Sequence, residues 1–270
     1  MSLESIIVTI TPDRLQEIQR LPVIPAHAVY RMGRGPHLFR AGGSTAPRGG
    51  MMLLDCRTFD GLGAPAPFCQ EVIQECSARG FTGVVCDFEA GKLPPLEQAV
   101  RELGSQCRRR NWTLIVPEQY GHCSDHALVM ISSALSGGSL LQRLREAQEH
   151  FGRDRVALAL QRVAEDFFLP SPSGSGVPLS QDELHRLIHQ RSPSIFFSQE
   201  LCARYFTYMS RESGAHFVLF DDGATLRRKL EAAQSLSIRT VLAPWQEIAD
   251  VTVTLGLYPV ERTRTGQVLR

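Results

Sequence analysis

The stretch Gly80-Phe81-Thr82-Gly83-Val84-Val85-Cys86-Asp87-Phe88-Glu89 decides how the rest of the chain is read. Gly83–Phe88 has the β-branched, almost uninterrupted apolar character of a strand buried on both faces, which is the habit of parallel sheets. A helix-period segment, Pro67–Arg79, precedes it and closes at Gly80; another, Pro94–Arg109, follows. Helix, strand, helix is the order of βαβ units. Side chains alternate along a strand, so Val85, Asp87 and Glu89 form one row.

Outward from this stretch, the same alternation recurs. Ser5–Ile10, Ala26–Arg31, Met51–Cys56, Thr113–Val116, Leu128–Ser133, Val156–Leu160 and Thr240–Ala243 read as further strands. Eight strands, most of them separated by helical segments, favour an α/β fold of the closed (β/α)8 TIM-barrel type, one domain over residues 1–270. The N-terminal part is expected to be irregular, because residues 33–50 are rich in Gly, Pro and Arg. An insertion is expected between strands seven and eight, at residues 168–238. It holds a Pro/Ser/Gly loop at 170–178, a helix from Gln181 capped by Ser180 with Glu183, short strands Phe196–Ser198 and Phe217–Phe220, and a helix from Ala224.

Composition removes several classes of function. The chain has 270 residues, 43% of them hydrophobic, which is enough to bury a large core and excludes a disordered chain. With 29 Lys+Arg against 28 Asp+Glu, no global field draws it to nucleic acid or to an anionic membrane. No run is long and apolar enough to span a bilayer, and Met1–Glu4 lacks the basic start of a secretory signal. The 7 cysteines are scattered without a CxxC pair, as in reduced, buried thiols. His122, Cys123 and His126 lack a fourth ligand at the usual spacing for zinc, and His185 and His189 lack a third, so no metal is expected. With no dinucleotide or P-loop glycine motif either, no cofactor is expected.

In a barrel, chemistry sits at the C-terminal ends of the strands. Asp87 and Glu89 lie at such an end, and two close carboxylates in a partly dry site cannot both ionise freely. The bland reading has them capping the next helix or pairing with Lys92. Glu118, just past the fifth strand, is a candidate ligand contact, and Tyr120 could reach the same space. Asp221 and Asp222 suit the cap of the helix at Ala224, with Asp221 also a candidate for approaching a ligand.

Gly83 to Glu89 resembles the fourth-strand signature of glycoside hydrolase family 18, the chitinase-like barrels, usually D-G-x-D-x-D-x-E. Glu89 falls on the catalytic acid, Asp87 on the last Asp and Gly83 on the Gly; Thr82 and Val85 replace the first two Asp. Ala157 to Phe167 is similar to the family's seventh strand. Phe220 to Lys229, then Arg239 to Trp245, is similar to its end, where an acidic loop precedes a helix and the eighth strand finishes in a Trp. The match runs over about residues 50–248 and is nearest the bacterial subgroup that acts on spore cortex peptidoglycan.

The resemblance implies a polysaccharide or oligosaccharide partner and hydrolysis of an N-acetylated amino-sugar polymer, peptidoglycan or chitin-like. The substrate's own acetamido oxygen attacks, with Glu89 as acid/base and Asp87 orienting the acetamido group. Trp245 would floor the sugar site. It also implies a strand-six tyrosine, where this chain offers Ser132 or Ser133, and a strand-seven tyrosine, where Val163 stands. A catalytically silent carbohydrate-binding or structural barrel is therefore the alternative. A cytoplasmic or spore-associated location fits the thiols and the missing signal.

Overall fold

The apolar runs form strands with two buried faces. Ile7, Ala26, Met51, Leu53, Val85, Ile115 and Leu242 meet in an inner cluster, with Leu128 and Met130 packed against it. Their chain neighbours, such as Val8, Leu54, Val84, Cys86, Leu114, Val116, Val129, Ile131, Val241 and Ala243, face an outer core shared with the helices. This two-sided burial explains why these strands carry almost no polar residues before their ends. The structure, a computed structural model, describes residues 5–41, 47–89, 91–170 and 174–260. Met1–Glu4 and parts of the loops at 33–50 and 170–178 lie outside the described residues.

In chain order the strands are β1 (Ser5–Ile10), β2 (Ile24–Met32), β3 (Leu38–Arg40), β4 (Met51–Asp55), β5 (Gly83–Asp87), β6 (Thr113–Pro117), β7 (Leu128–Ser132), β8 (Val156–Ala159), β9 (Ala164–Leu169), β10 (Val177–Pro178), β11 (Phe196–Ser198), β12 (Ala203–Ser210), β13 (Gly214–Phe220) and β14 (Thr240–Pro244). The main sheet runs β1-β14-β8-β7-β6-β5-β4-β2-β3, and β1 also pairs with β2. That extra pairing closes a ring of eight strands, parallel throughout. These are the eight strands expected from sequence, and the fold is a TIM-type barrel. The N-terminal part is regular where it builds the ring and irregular past it. A register shift interrupts β2 between His27 and Tyr30, and β3 folds back antiparallel on the end of β2.

The helices are α1 (Leu15–Ile18), α2 (Ala66–Arg79), α3 (Pro94–Arg110), α4 (Leu140–Phe151), α5 (Gln181–Arg191), α6 (Gly223–Ser235) and α7 (Trp245–Ile248). Gly80 ends α2 in the left-handed region, φ 68°, and its N–H bonds back to Cys76 and Ser77 carbonyls, so the chain turns at once into β5. A short 3-10 turn, Glu118–Cys123, replaces a helix after β6. No helix among the described residues is long and apolar enough to cross a membrane.

The insertion is more regular than its composition suggests. It opens at Ala164 and forms an antiparallel sheet, β10-β9-β13-β12-β11. One face buries Val163, Phe167, Ala203 and Leu219; the other buries Phe206, Val218 and Phe220 against Leu184 of α5. The capping box expected at Ser180 and Glu183 starts α5. Asp222 and Thr225 form a second one at α6, which returns the chain to the outer core of the barrel.

Candidate active site

The rim formed by the strand C-termini gathers the acids. Asp87 lies two residues beyond the inward Val85, and Asp55 two beyond the inward Leu53. The two stand opposite each other in the β4–β5 register. Glu89, two residues further on, is exposed above them. Between Asp87 and Glu89, Phe88 is fully buried on the other side of the strand and meets Tyr120 edge-on at 5.9 Å. The segment carrying Glu89 is tied at two more points. Gln119 donates its amide to the Phe88 carbonyl, and the Tyr120 hydroxyl donates to the Gly91 carbonyl, each at 2.9 Å.

Charge on the rim is distributed unequally. Arg57 clasps Asp55: its backbone N–H donates to Oδ1 at 2.6 Å and its Nε to Oδ2 at 2.7 Å. Burial pushes the Asp55 carboxyl up, but these Arg57 contacts outweigh it and hold the group below its ordinary range. Among the described residues, Asp87 has no such clasp. Burial first, then the fields of Glu89 and Asp55, push its carboxyl above the ordinary value, with Arg57 only partly offsetting them. Asp87 is the carboxyl most ready to keep or regain a proton, next to one held ionised.

Across the barrel, the inward rows of β7 and β8 end in polar groups. Ser132 follows the inward Leu128 and Met130, and its hydroxyl donates to Gln161 Oε1 at 2.7 Å. That leaves the Gln161 amide N–H2 as the donor at this edge. A groove of about 580 Å³ adjoins the acids on the β2–β4 side, lined by Arg31, Arg34 and Arg57 with Phe39 and Phe59. Arg31 is the register partner of Asp55.

The other side chains singled out from sequence lie elsewhere. Trp245 is 6% exposed and packs in the outer core, since it continues the outward row of Val241 and Ala243. Its Nε1 donates to Glu17 Oε2 at 2.6 Å, and Glu17, held first by Arg14 and then by this indole, has its carboxyl lowered to about 2. Tyr120 is fully buried under the Glu89 loop. Ser133 is also buried, exchanging hydrogen bonds with the Gln161 backbone at 3.0 Å, because it points outward where Ser132 points in. Asp221 is buried against Lys229 Nζ at 2.5 Å, the Val163 N–H at 2.8 Å and the Thr225 hydroxyl at 2.7 Å, so both its oxygens are engaged inside the protein. Glu118 remains at the surface in an ion pair with Arg143, beside Lys92, Gln119 and His122. Asp55, Arg57, Ser132 and Gln161 thus join Asp87 and Glu89 at the rim. Asp55 had a signal in the sequence: Met51-Met52-Leu53-Leu54-Asp55 repeats the pattern of an apolar run ending in an acid.

Comparison with solved structures finds the same barrel fold in other proteins. A chitinase from Chromobacterium violaceum superposes with a TM-score of 0.67 at 14% identity, covering 94% of this chain and 98% of that one. The spore cortex-lytic enzyme SleL of Bacillus megaterium gives 0.63 at 12% identity, covering 96% and 75%. A GH18 chitinase from Cycas revoluta, solved in complex with (GlcNAc)3, gives 0.56 at 12% identity, covering 93% and 97%. At such identities the likeness is one of fold. No protein-family model matches the sequence, and no curated protein matches it.

Proposed function

We propose that the chain is a family 18-type glycoside hydrolase cleaving an N-acetylated amino-sugar polymer, peptidoglycan in preference to chitin, by a retaining, substrate-assisted route. The observation that carries this reading is the pair of acids at the end of β5, Asp87 following the inward Val85 and Glu89 exposed two residues on, at the rim of a closed parallel barrel. The resemblance of this strand to the family's signature assigns the roles. Glu89, exposed at the rim, donates its proton to the glycosidic oxygen as the C1–O bond breaks. The acetamido carbonyl oxygen of the same sugar bonds to C1, and the ring it forms carries a positive charge near nitrogen. Asp87 accepts the acetamido N–H and balances that charge. Its own proton affinity, raised by burial and by Glu89 and Asp55, falls as the cation forms. Water then adds to C1 as the bond from C1 to the acetamido oxygen breaks and the acetamido group is restored, and the water gives its proton to the Glu89 carboxylate.

Two features shape the substrate choice. The Gln161 amide, held by Ser132, supports a hydrogen bond to the acetamido carbonyl where related barrels use tyrosine. Arg31 and Arg34 line the adjoining groove with Asp60 and with Arg57, which Asp55 already holds, and the two remaining guanidinium groups suit a polymer bearing carboxylates better than a neutral one. The stem peptides of peptidoglycan carry such carboxylates; chitin carries none. The test is hydrolysis of peptidoglycan fragments and of chitin oligosaccharides by the wild type and Glu89→Gln, with the anomeric form of the first product recorded. Turnover with retention, lost in Glu89→Gln, is expected. A wild type inert towards both polymers, or a Glu89→Gln as active as the wild type, overturns the proposal.

The serine at the strand-six position and Val163 at the strand-seven position, where the resemblance implies tyrosines, favour a second reading, a barrel that binds saccharide without cutting it. Calorimetry separates the two: heat of binding with no turnover supports the second.

A further inference from the structure

Beside the loop that carries Glu89, three side chains of different chemistry converge from two elements. Glu97 stands in the first turn of α3; His122 and Cys123 stand in the 3-10 turn after β6. His122 Nε2 lies 3.4 Å from Glu97 Oε1 and 3.5 Å from Cys123 Sγ, and the three ligand atoms lie within 4.8 Å of one another. Bonds of about 2.0–2.1 Å to nitrogen and oxygen and about 2.3 Å to sulfur, at tetrahedral angles, set ligand atoms about 3.3–3.6 Å apart. The two separations made by His122 match edges of that tetrahedron, and the third, from Glu97 to Cys123, lies within 4.8 Å. The nitrogen–sulfur distance also suits a thiol–imidazole hydrogen bond, but the nitrogen–oxygen distance fits hydrogen bonding less well. The nitrogen–oxygen distance exceeds the usual value of about 2.9 Å, and one Nε2 proton cannot serve both neighbours.

We infer that Glu97, His122 and Cys123 form a binding site for a zinc-class divalent cation, with a fourth position open to solvent. The mixed oxygen, nitrogen and sulfur donor set suits a cation of borderline softness and argues against magnesium or calcium. A carboxylate and a thiolate balance the charge of the ion, and binding releases the thiol proton. Arg101 donates to the other carboxylate oxygen, Glu97 Oε2, at 3.0 Å, which fixes Oε1 towards His122. Its positive charge weakens the site, so the affinity is that of an exchangeable ion. The His122 side chain is 47% exposed and gives the ion a route in. His126 takes no part, since its Nε2 bonds the Trp112 carbonyl at 2.9 Å. The ion would staple the first turn of α3 to the turn after β6. Those elements flank the loop bearing Glu89, and that loop is already tied to the same turn by Gln119 and Tyr120. The site stands whether or not the barrel is a hydrolase.

The test is titration of the full chain, stripped with chelator, by cobalt(II). One equivalent should bind with tetrahedral visible bands and a near-ultraviolet thiolate-to-cobalt charge-transfer band, and zinc should displace it and raise the Tm. Cys123→Ser should remove the charge-transfer band. His122→Ala, at an exposed position that leaves the fold intact, should weaken cobalt binding by at least about 100-fold, because loss of even an outer-shell partner costs about 10–100-fold. Cys202→Ser should bind as the wild type does. No charge-transfer band at stoichiometric cobalt, or a band that survives in Cys123→Ser, overturns the inference.

Discussion

Asp55 and Asp87 face each other across the β4–β5 ladder, yet one guanidinium, Arg57, holds only the first. The asymmetry separates two chemically identical side chains into a fixed anion and a group on the edge of protonation.

A consequence for stability follows from the raised Asp87 carboxyl. An acid whose folded value lies above its unfolded value, about 3.9, binds its proton more tightly in the native state. Its contribution is fully present below the unfolded value and is lost as pH rises through the folded one. Asp87→Asn should therefore melt higher than the wild type at pH 7 and level with it at about pH 3, measured by calorimetry. If the proposed chemistry holds, the same variant should lose about 10²–10³-fold in kcat, the cost of one transition-state stabilising group. Equal melting temperatures at pH 7 would show that burial of this carboxylate has no cost.

Glu89→Gln should behave differently. The side chain is exposed, so its stability should change by no more than about 0.5 kcal/mol. Turnover should fall by about 10²–10⁴-fold, the range for a general acid. Steady-state kinetics on a peptidoglycan fragment, with a urea midpoint beside them, check both parts.

Arg31→Ala with Arg34→Ala probes the groove. KM for a carboxylate-bearing fragment should rise while KM for a neutral chitin oligosaccharide stays unchanged. Added salt should weaken the first substrate alone. A parallel loss on both substrates would place the arginines in fold maintenance rather than in selection.

Lys229 and Asp221 are both fully buried, and breaking such a pair leaves an uncompensated charge. Lys229→Met should cost about 3–5 kcal/mol by urea denaturation. Asp221→Asn in the same background should recover part of that loss. Neither change should alter saccharide affinity in the folded protein, because Asp221 supports the junction of insertion and barrel rather than the rim.

Much of this architecture was legible because two-sided burial writes itself into a strand as an uninterrupted apolar run. The eight runs and the acids ending one of them were read on that basis. Parity decided what was missed. Counting from inward Leu242 puts Trp245 outside, and counting from inward Met130 selects Ser132 over Ser133. That count needs one inward residue as its origin, and only the closed ring supplies it. Strand β12 went unread because Arg204, Tyr205, Thr207 and Tyr208 sit on a small sheet where apolar and polar positions mingle. The partnership of Asp221 with Lys229, and that of Glu97 with His122, join elements whose approach no local pattern encodes.

The pairing of β1 with β14 has a bearing on how the molecule is made. Ile7 and Leu242 lie side by side in the finished ring, although almost the whole polypeptide separates them. A chain emerging from the ribosome must carry its first strand unpartnered on that edge until the last one arrives. Final closure is thus a late, high-contact-order step, and until then the greasy interior lies open to chaperones or to a neighbouring nascent chain.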